Sequence, residues 1–224
     1  VPHKRYLNDF FTGKIAESVS RGELYNEDPI TGDARFCATT ASMCGIESAG
    51  FEQNEEKKKR AVRFDLMLHA YMMVQSGIPM LYSGDEIGQV NDYTYKNDPE
   101  KRVDSRYIHR GKFDWKLADG RKRKGTVQKE LFDGIGKLRS IRSKEKLFDA
   151  SANVWTLDTW ENGILGVVRE LEGEQMTALF NFAEEDRTAW IEEEGEYMDL
   201  YTGKKVSLQA IKMEGHSFVL AKKC

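Results

Sequence analysis

The sequence predicts an α/β piece, formed by a helix, a strand and a second helix, followed by an all-β antiparallel sandwich domain. Helical patterns end at Val74 and cover Val127–Arg142, and a short apolar run of strand length, Ile78–Tyr82, lies between them. From about Asp149, short runs of β-branched and aromatic residues replace the helical spacing, which is typical of a small all-β domain.

The first helix has the clearest signals in the chain. Asn54 can cap it, and Glu55 and Glu56 lie in its first turn, where the helix dipole favours acids. The basic run Lys57–Arg60 is therefore interpreted as a solvated helix start and not as a polyanion site. The second half, Phe64–Val74, is apolar nearly all round, which predicts a helix buried on more than one side.

The apolar run Ile78–Tyr82 predicts a strand buried on both faces, as in a parallel sheet. Such a strand needs neighbours on both sides, and one strand with two helices is not a fold. We therefore expect the rest of the sheet to come from residues preceding Val1 or from another copy of the chain.

The C-terminal part reads as an antiparallel domain. Glu172-Gly173 and Thr202-Gly203 are turn signals, and the intervals between turns suit a sandwich. The predicted strands are Val154–Leu157, Gly163–Arg169, Met176–Phe182 and Arg187–Ile191.

Two polar stretches, Lys14–Phe36 and Gln89–Gly125, are predicted to be functional loops, because ordinary connections are much shorter. Small and apolar residues at helical spacing predict a helix over Ala38–Ser48, between the first loop and the capped helix.

Loop arginines are the candidate binding residues. Arg21, Arg35 and Arg106 lie beside glycine or small polar residues, and a guanidinium can donate to a carboxylate or to sugar hydroxyls. The second loop also holds four aromatic side chains: Tyr93, Tyr95, Tyr107 and Trp115. This combination suits sugar rings, but it also suits a protein interface, and a single loop arginine is most often only solvated.

Asp85 and Glu86 follow the predicted strand and could be taken for a catalytic acid pair. Adjacent side chains of an extended segment point to opposite faces, whereas a retaining glycosidase needs two carboxyls about 5–5.5 Å apart. A structural role for both carboxylates at the strand end is the favoured interpretation.

Composition excludes several classes. The net charge of −3 argues against a nucleic-acid partner, and no apolar run approaches the roughly 20 residues that span a bilayer. The three cysteines are spaced for neither a disulfide nor zinc. Free thiols in a reducing, cytoplasmic setting are expected, with no metal and no cofactor.

Four segments, in order, resemble one family. Leu24–Ala41 (LYNEDPITGDARFCATTA) resembles the loop after barrel strand seven in amylosucrases of the α-amylase superfamily (glycoside hydrolase family 13). Ser76–Gly88 (SGIPMLYSGDEIG) is similar to strand eight and its turn, and Val103–Arg110 (VDSRYIHR) to that family's DSRWAHR segment. Leu179–Glu184 (LFNFAE) fits its closing β-domain.

The resemblance implies the end of a TIM barrel (helix 7, strand 8, helix 8) followed by domain C. It divides the chain into a loop-rich insertion (1–50), a barrel end with a long loop (51–147) and the β-domain (148–224). The family cleaves sucrose by a retaining mechanism and transfers glucose to an α-1,4-glucan.

The resemblance also implies residue roles. Arg35 and Arg21 match acceptor-side arginines, and Arg106 matches an arginine that pairs with an aspartate at the pocket floor. Asp104 joins the substrate-binding residues, and Asp85 and Glu86 fall at structural positions.

The sequence also departs from the family's pattern. The family's nucleophile, acid/base and third carboxylate lie on earlier strands, so no catalytic residue is assigned here, and the chain alone is expected to be inactive. Tyr107 also replaces the family's tryptophan. A hydrolytic α-glucosidase or α-amylase relative, and a non-catalytic carbohydrate-binding module, remain the alternatives.

Overall fold

The computed structural model describes residues 2–224, with side chains from His3 onward. The helices are α1 Pro2–Phe11, α2 Thr40–Met43, α3 Ile46–Phe51, α4 Glu55–Val74, α5 Trp115–Ala118 and α6 Val127–Lys144. The strands are β1 Glu23–Tyr25, β2 Arg35–Cys37, β3 Asn153–Leu157, β4 Ile164–Leu171, β5 Glu174–Asn181, β6 Arg187–Ala189, β7 Tyr197–Asp199, β8 Lys204–Val206, β9 Ile211–Met213 and β10 Phe218–Lys223.

The chain forms two compact units, each assembled from two segments. The loop unit contains the residues up to Asp65 together with Leu81–Phe132. The β unit contains Leu66–Met80 together with Asp133–Cys224. Across residues 2–224, none of the helices has the length and apolar character that a bilayer crossing requires.

The stretch predicted as a first long loop contains an unpredicted ribbon. β1 and β2 pair antiparallel, with Glu23 opposite Cys37 and Tyr25 opposite Arg35. Each strand has only three residues, too few for a periodic pattern to appear in the sequence.

The single helix predicted over Ala38–Ser48 is wrong, because the chain breaks at Gly45 into α2 and α3. Gly45 has φ +94°, and a Cβ there would lie 3.0 Å from the side chain of Val19. Glycine adopts this left-handed conformation without strain and allows the close approach.

Helix α4 confirms the capped helix. The Asn54 side chain accepts a hydrogen bond from the Lys57 N–H at 3.0 Å, as an N-cap does. The Lys57–Arg60 run begins a solvated turn, in which Lys58 pairs with Glu55 at 2.5 Å. From residue 61 to residue 74 no position is exposed, as the apolar pattern predicts.

The predicted strand Ile78–Tyr82 is wrong for this structure, since the segment is irregular and pairs with no strand among residues 2–224. Ile78 is 88% exposed and Met80 is 77% exposed. A parallel strand is stable only between hydrogen-bonded neighbours, and the described residues supply none.

The β unit confirms the antiparallel prediction, and all four predicted runs form strands. A six-stranded sheet has the order β3-β4-β5-β10-β7-β8, and β6 pairs with β9 in a second sheet. A buried cluster joins side chains of both sheets, including Leu179, Ala189 and Met213. Glu172 and Gly173, both with positive φ, form the β4–β5 turn as the sequence predicts.

Two arginines of the β unit satisfy the carbonyl end of α4. Arg169, fully buried on β4, donates to the carbonyls of Leu147 (2.5 Å), Val74 (2.8 Å) and Asp149 (3.1 Å). Arg142 donates to the carbonyls of Met73, Gln75 (3.2 Å) and Gly77 (2.6 Å). The last turn of α4 has no basic residue of its own, so these guanidiniums bind its unpaired carbonyls.

We predict that Arg169→Met lowers the free energy of unfolding by about 3 kcal/mol or more, because three backbone carbonyls, two of them in buried hydrogen bonds, lose a charged donor. Chemical denaturation followed by circular dichroism measures this change. Arg139→Met on α6 is the matched control, since Arg139 is exposed and its loss should cost under about 0.5 kcal/mol. Equal effects of the two substitutions would contradict the proposed role of Arg169.

Candidate functional site

The ribbon β1–β2 and two 3₁₀ turns, Tyr93–Asn97 and Ser105–His109, form one corner of the loop unit. The Asp92 side chain caps the first turn by accepting from the Thr94 N–H at 2.9 Å. Asp104 caps the second by accepting from the Arg106 N–H at 3.0 Å. An apolar cluster packs beneath the corner: Cys37, Tyr95 and Ile108, with Tyr25 and Tyr107 against it.

The Asp104–Arg106 pair is the best-defined ionic contact of this corner. The Arg106 Nε lies 2.9 Å from one carboxylate oxygen of Asp104, and its terminal nitrogen lies 2.7 Å from the other. This fork and the backbone bond lower the pKa of Asp104 to about 2. The guanidinium also lies over the Tyr25 ring, 4.5 Å from its centroid.

Arg35 lies on the same ribbon. It is directly opposite Tyr25 in the β1–β2 register, so the two side chains share one face. Arg35 is exposed, and its guanidinium makes no hydrogen bond or ion pair with the other described residues. Two predicted arginines, Arg35 and Arg106, therefore flank one tyrosine, and Arg35 retains its donors for a ligand.

A cleft of about 760 Å³ opens beside this pair, lined by Glu23, Leu24, Tyr25, Asn26, Tyr95, Lys96, Arg102, Val103 and Ser105. Glu23 accepts a hydrogen bond from the Tyr95 hydroxyl and pairs with Lys96 at 2.5 Å. Burial, with the Glu23 contact, raises the pKa of Tyr95, which stays protonated at neutral pH. The cleft combines ring faces with donors and acceptors, a suitable lining for a polyhydroxylated ligand.

Arg21 belongs to a different group of side chains. Its Nε donates to Ser48 Oγ at 2.9 Å, and its guanidinium lies 5.0 Å from the Phe51 ring centroid, so it is held against α3. The side chain is nonetheless exposed and keeps further donors. Its assignment to substrate stays a prediction.

Beside Arg21 lies a buried polar network that the sequence did not predict. The Glu47 carboxylate accepts from Ser42 Oγ at 2.5 Å and from the Tyr93 hydroxyl at 2.8 Å. The Asn91 side chain donates to the Arg21 carbonyl at 2.9 Å, which joins the network to the first loop. Burial raises the pKa of the Tyr93 hydroxyl. The hydrogen bond with Asn91 lowers this pKa, and the contact with Glu47 raises it further.

Asp85 and Glu86 lie in a 3₁₀ turn, Asp85–Ile87. The Asp85 carboxylate accepts from the Tyr82 N–H at 3.0 Å, and the Glu86 carboxylate accepts from the Gly84 N–H at 3.1 Å. Both side chains bind the backbone of their own turn, which suits the predicted structural role.

Cys37 and Cys44 are buried free thiols, and burial raises the pKa of Cys44 well above its usual range. Over residues 2–224, no group of three His, Cys, Asp or Glu side chains is arranged to hold a metal ion.

No family model matches the chain. Its fold is similar to parts of several solved enzymes. A variant of AmyP in complex with maltotriose covers 73% of this chain and 35% of its own, at 14% identity and a TM-score of 0.58. The match to the trehalulose synthase MutB from Pseudomonas mesoacidophila MX-45 covers 72% of this chain and 38% of that enzyme, at 15% sequence identity and a TM-score of 0.54. The match to an Anoxybacillus α-amylase covers 73% of this chain and 32% of that enzyme, at 22% sequence identity and a TM-score of 0.50.

The chain spans between 19% and 38% of the length of such enzymes. At these identities the likeness shows a shared fold alone. A shared fold carries no choice among activities.

We predict that Arg106→Met raises the pKa of Asp104 from about 2 towards the usual 3.8, because the guanidinium that holds the carboxylate ionised is removed. Carboxyl ¹³C NMR titration measures the change. In the unsubstituted chain, the stability from this pair is complete above about pH 4 and is lost as the pH falls towards 2.

Arg123→Met is the matched control for this titration, because Arg123 is exposed and lies outside the 3₁₀ turn. An Asp104 titration that is unchanged in Arg106→Met would show that the fork does not form in solution.

Proposed function

We propose that this chain is the C-terminal part of an α-amylase-superfamily enzyme acting on α-glucosides, most like an amylosucrase. The proposed reaction converts sucrose to an α-1,4-glucan and fructose. The TGD and DSR segments support the amylosucrase type, and the shared fold with solved enzymes supports the superfamily. In this proposal, Ser76–Gly88, which has no strand in this structure, forms the last barrel strand and its turn only when neighbouring strands pair with it.

The observation that carries the proposal is that Arg35, by strand register, and Arg106, by ring contact, both neighbour Tyr25, which lines an open cleft. Two guanidiniums and an aromatic face suit a sugar ring and its hydroxyls. Asp104 holds Arg106 in a fixed orientation, and we assign Asp104, Arg35 and Arg106 to substrate binding. Arg21 is proposed as an additional acceptor-side residue.

The catalytic carboxylates are proposed to come from the part of the protein that precedes this chain. The exposed side chains of Ile78 and Met80 support this, because contiguous apolar surface is rarely left bare. We therefore propose that the missing barrel portion covers this apolar surface, or that a second copy of the chain covers it instead. The buried free thiols Cys37 and Cys44 support a cytoplasmic location.

A hydrolytic relative is the second candidate function. An α-amylase is among the solved enzymes of similar fold, and hydrolysis uses the same two-carboxylate chemistry with water as acceptor. The two candidates differ in product: a transglucosidase forms glucan, whereas a hydrolase releases free glucose.

We predict that the chain alone releases no fructose from sucrose above background, and that the protein encoded with its upstream sequence does. In that longer protein, Arg106→Met should lower sucrose turnover about tenfold or more, because a misplaced substrate loses reactive geometry. Arg123→Met should leave turnover unchanged.

Chromatography of the products separates the candidates: glucan together with fructose supports the amylosucrase type, whereas free glucose and fructose without glucan support the hydrolase. Fructose release by the chain alone, or full turnover in Arg106→Met, would contradict the proposed roles.

A further inference from the structure

The β unit exposes two tryptophans beside one cleft. Trp160 is 70% exposed and Trp190 is 57% exposed. The cleft between them has a volume of about 510 Å³, within the range of small-molecule sites. The remaining lining residues are Ile191, Glu192, Gln209 and Ala210.

The cleft is built on the two-stranded sheet of this unit. Trp190 and Ile191 directly follow β6, and Gln209 and Ala210 directly precede β9, so both strands of this antiparallel ribbon contribute to the lining at the same end of the ribbon. Ile191 is also buried in the cluster between the two sheets. One wall of the cleft is therefore anchored in the core.

The two indoles are linked through their backbone. The Trp190 N–H donates to the Thr159 carbonyl at 2.9 Å, one residue before Trp160. Thr159 is itself buried, and its hydroxyl donates to the Ile164 carbonyl at 2.8 Å. The spacing of the two indole-bearing residues is thus set by a buried contact.

Backbone conformation also marks this cleft. Trp160 has φ +54° and Ala210 has φ +50°, in the left-handed region that residues with a side chain seldom adopt. The Asp158 side chain holds the strained residue by accepting from the Trp160 N–H at 2.9 Å. Strain of this kind persists where surrounding contacts enforce it, and it is frequent at ligand sites.

The lining defines the chemistry of the ligand. It offers one carboxylate, Glu192, and one amide, Gln209, with no Lys, Arg or His among the six residues. An anionic ligand is therefore disfavoured. A neutral sugar chain fits, since its ring faces stack on indoles and its hydroxyls donate to and accept from Glu192 and Gln209.

A second protein chain fits less well. A stable interface buries about 800 Å² per partner. Two indoles supply about 150–250 Å² each at most, and they flank a concavity, not a flat patch.

We propose that this cleft is a non-catalytic binding site for an α-1,4-linked glucan chain, whose successive glucosyl rings stack on Trp160 and Trp190. The site lies outside the candidate substrate loops and would hold glucan near the enzyme. The choice of an α-linked chain rests on the proposed function, whereas the affinity for a neutral sugar rests on the cleft itself.

Titration of the purified chain with maltoheptaose, followed by tryptophan fluorescence and calorimetry, tests the proposal. We expect saturable binding that Trp190→Ala weakens at least tenfold. Trp160→Gly should do the same, and glycine keeps the left-handed backbone without strain. Trp155→Phe is the control, because Trp155 lies on β3 outside the lining and is also partly exposed.

Circular dichroism verifies that each variant is folded, and Trp190→Phe, which keeps a ring, should retain part of the affinity. Cellohexaose should bind more weakly than maltoheptaose, since its β-linked chain has a different curvature. No saturable maltoheptaose binding, or equal affinity in folded Trp190→Ala and Trp160→Gly, would overturn the site. Sedimentation that shows a dimer abolished by Trp190→Ala would identify a second copy as the occupant and also overturn it.

This outcome is separable from that of the proposed function. Normal sugar affinity in the tryptophan variants, with sucrose turnover still lost in Arg106→Met, would reject the cleft alone. Maltoheptaose binding without any sucrose turnover in the longer protein would reject the amylosucrase proposal alone.

Discussion

The buried guanidinium of Arg169 is the contact on which the β unit depends. Among the described residues no carboxylate pairs with it, and it donates to three backbone carbonyls, those of Val74 at the end of α4, Leu147 in the 3₁₀ turn Lys146–Phe148, and Asp149. A buried charge stripped of its partners is costly, so these segments cannot separate without a large penalty. The guanidinium carbons of Arg169 and Arg142 both lie over the Phe148 ring, 5.6 and 5.4 Å from its centroid. Charge–carbonyl contacts, together with apolar packing, therefore fix β4 against the helix end.

In the loop unit, too, the polar backbone groups need hydrogen-bond partners, and its long irregular stretches have few strand-to-strand hydrogen bonds to supply them. Aspartates supply them: Asp92, Asp104 and Asp114 each accept from a backbone N–H two or three residues later. Asp104 also carries the fork to Arg106. The orientation of a candidate binding residue is thereby coupled to the geometry of its own turn.

How far the sequence predicts this structure depends on how local each determinant is. The N-cap at Asn54 and the turn at Glu172-Gly173 are encoded within a few residues, and both form as predicted. The break at Gly45 depends on Val19, and the fate of Ile78–Tyr82 depends on strands that the described residues do not supply. Neither distant partner can be read from a local pattern.

The candidate site likewise contains some contacts between sequence neighbours, which could be predicted, and others between distant residues, which could not. The two-residue spacing of Asp104 and Arg106 is visible in the sequence, and the pair forms a fork. The contact of Glu23 with Tyr95 joins residues 72 apart, and Glu47 meets Tyr93 across 46. These carboxylates gave no local signal in the sequence.

Cleavage of a glycosidic bond needs two carboxyls flanking that bond, one of them able to give up a proton. Asp104 remains ionised down to about pH 2, and the Glu23 and Glu47 oxygens accept from neighbouring side chains. These three carboxylates therefore hold neighbouring side chains in place, which is a positioning role.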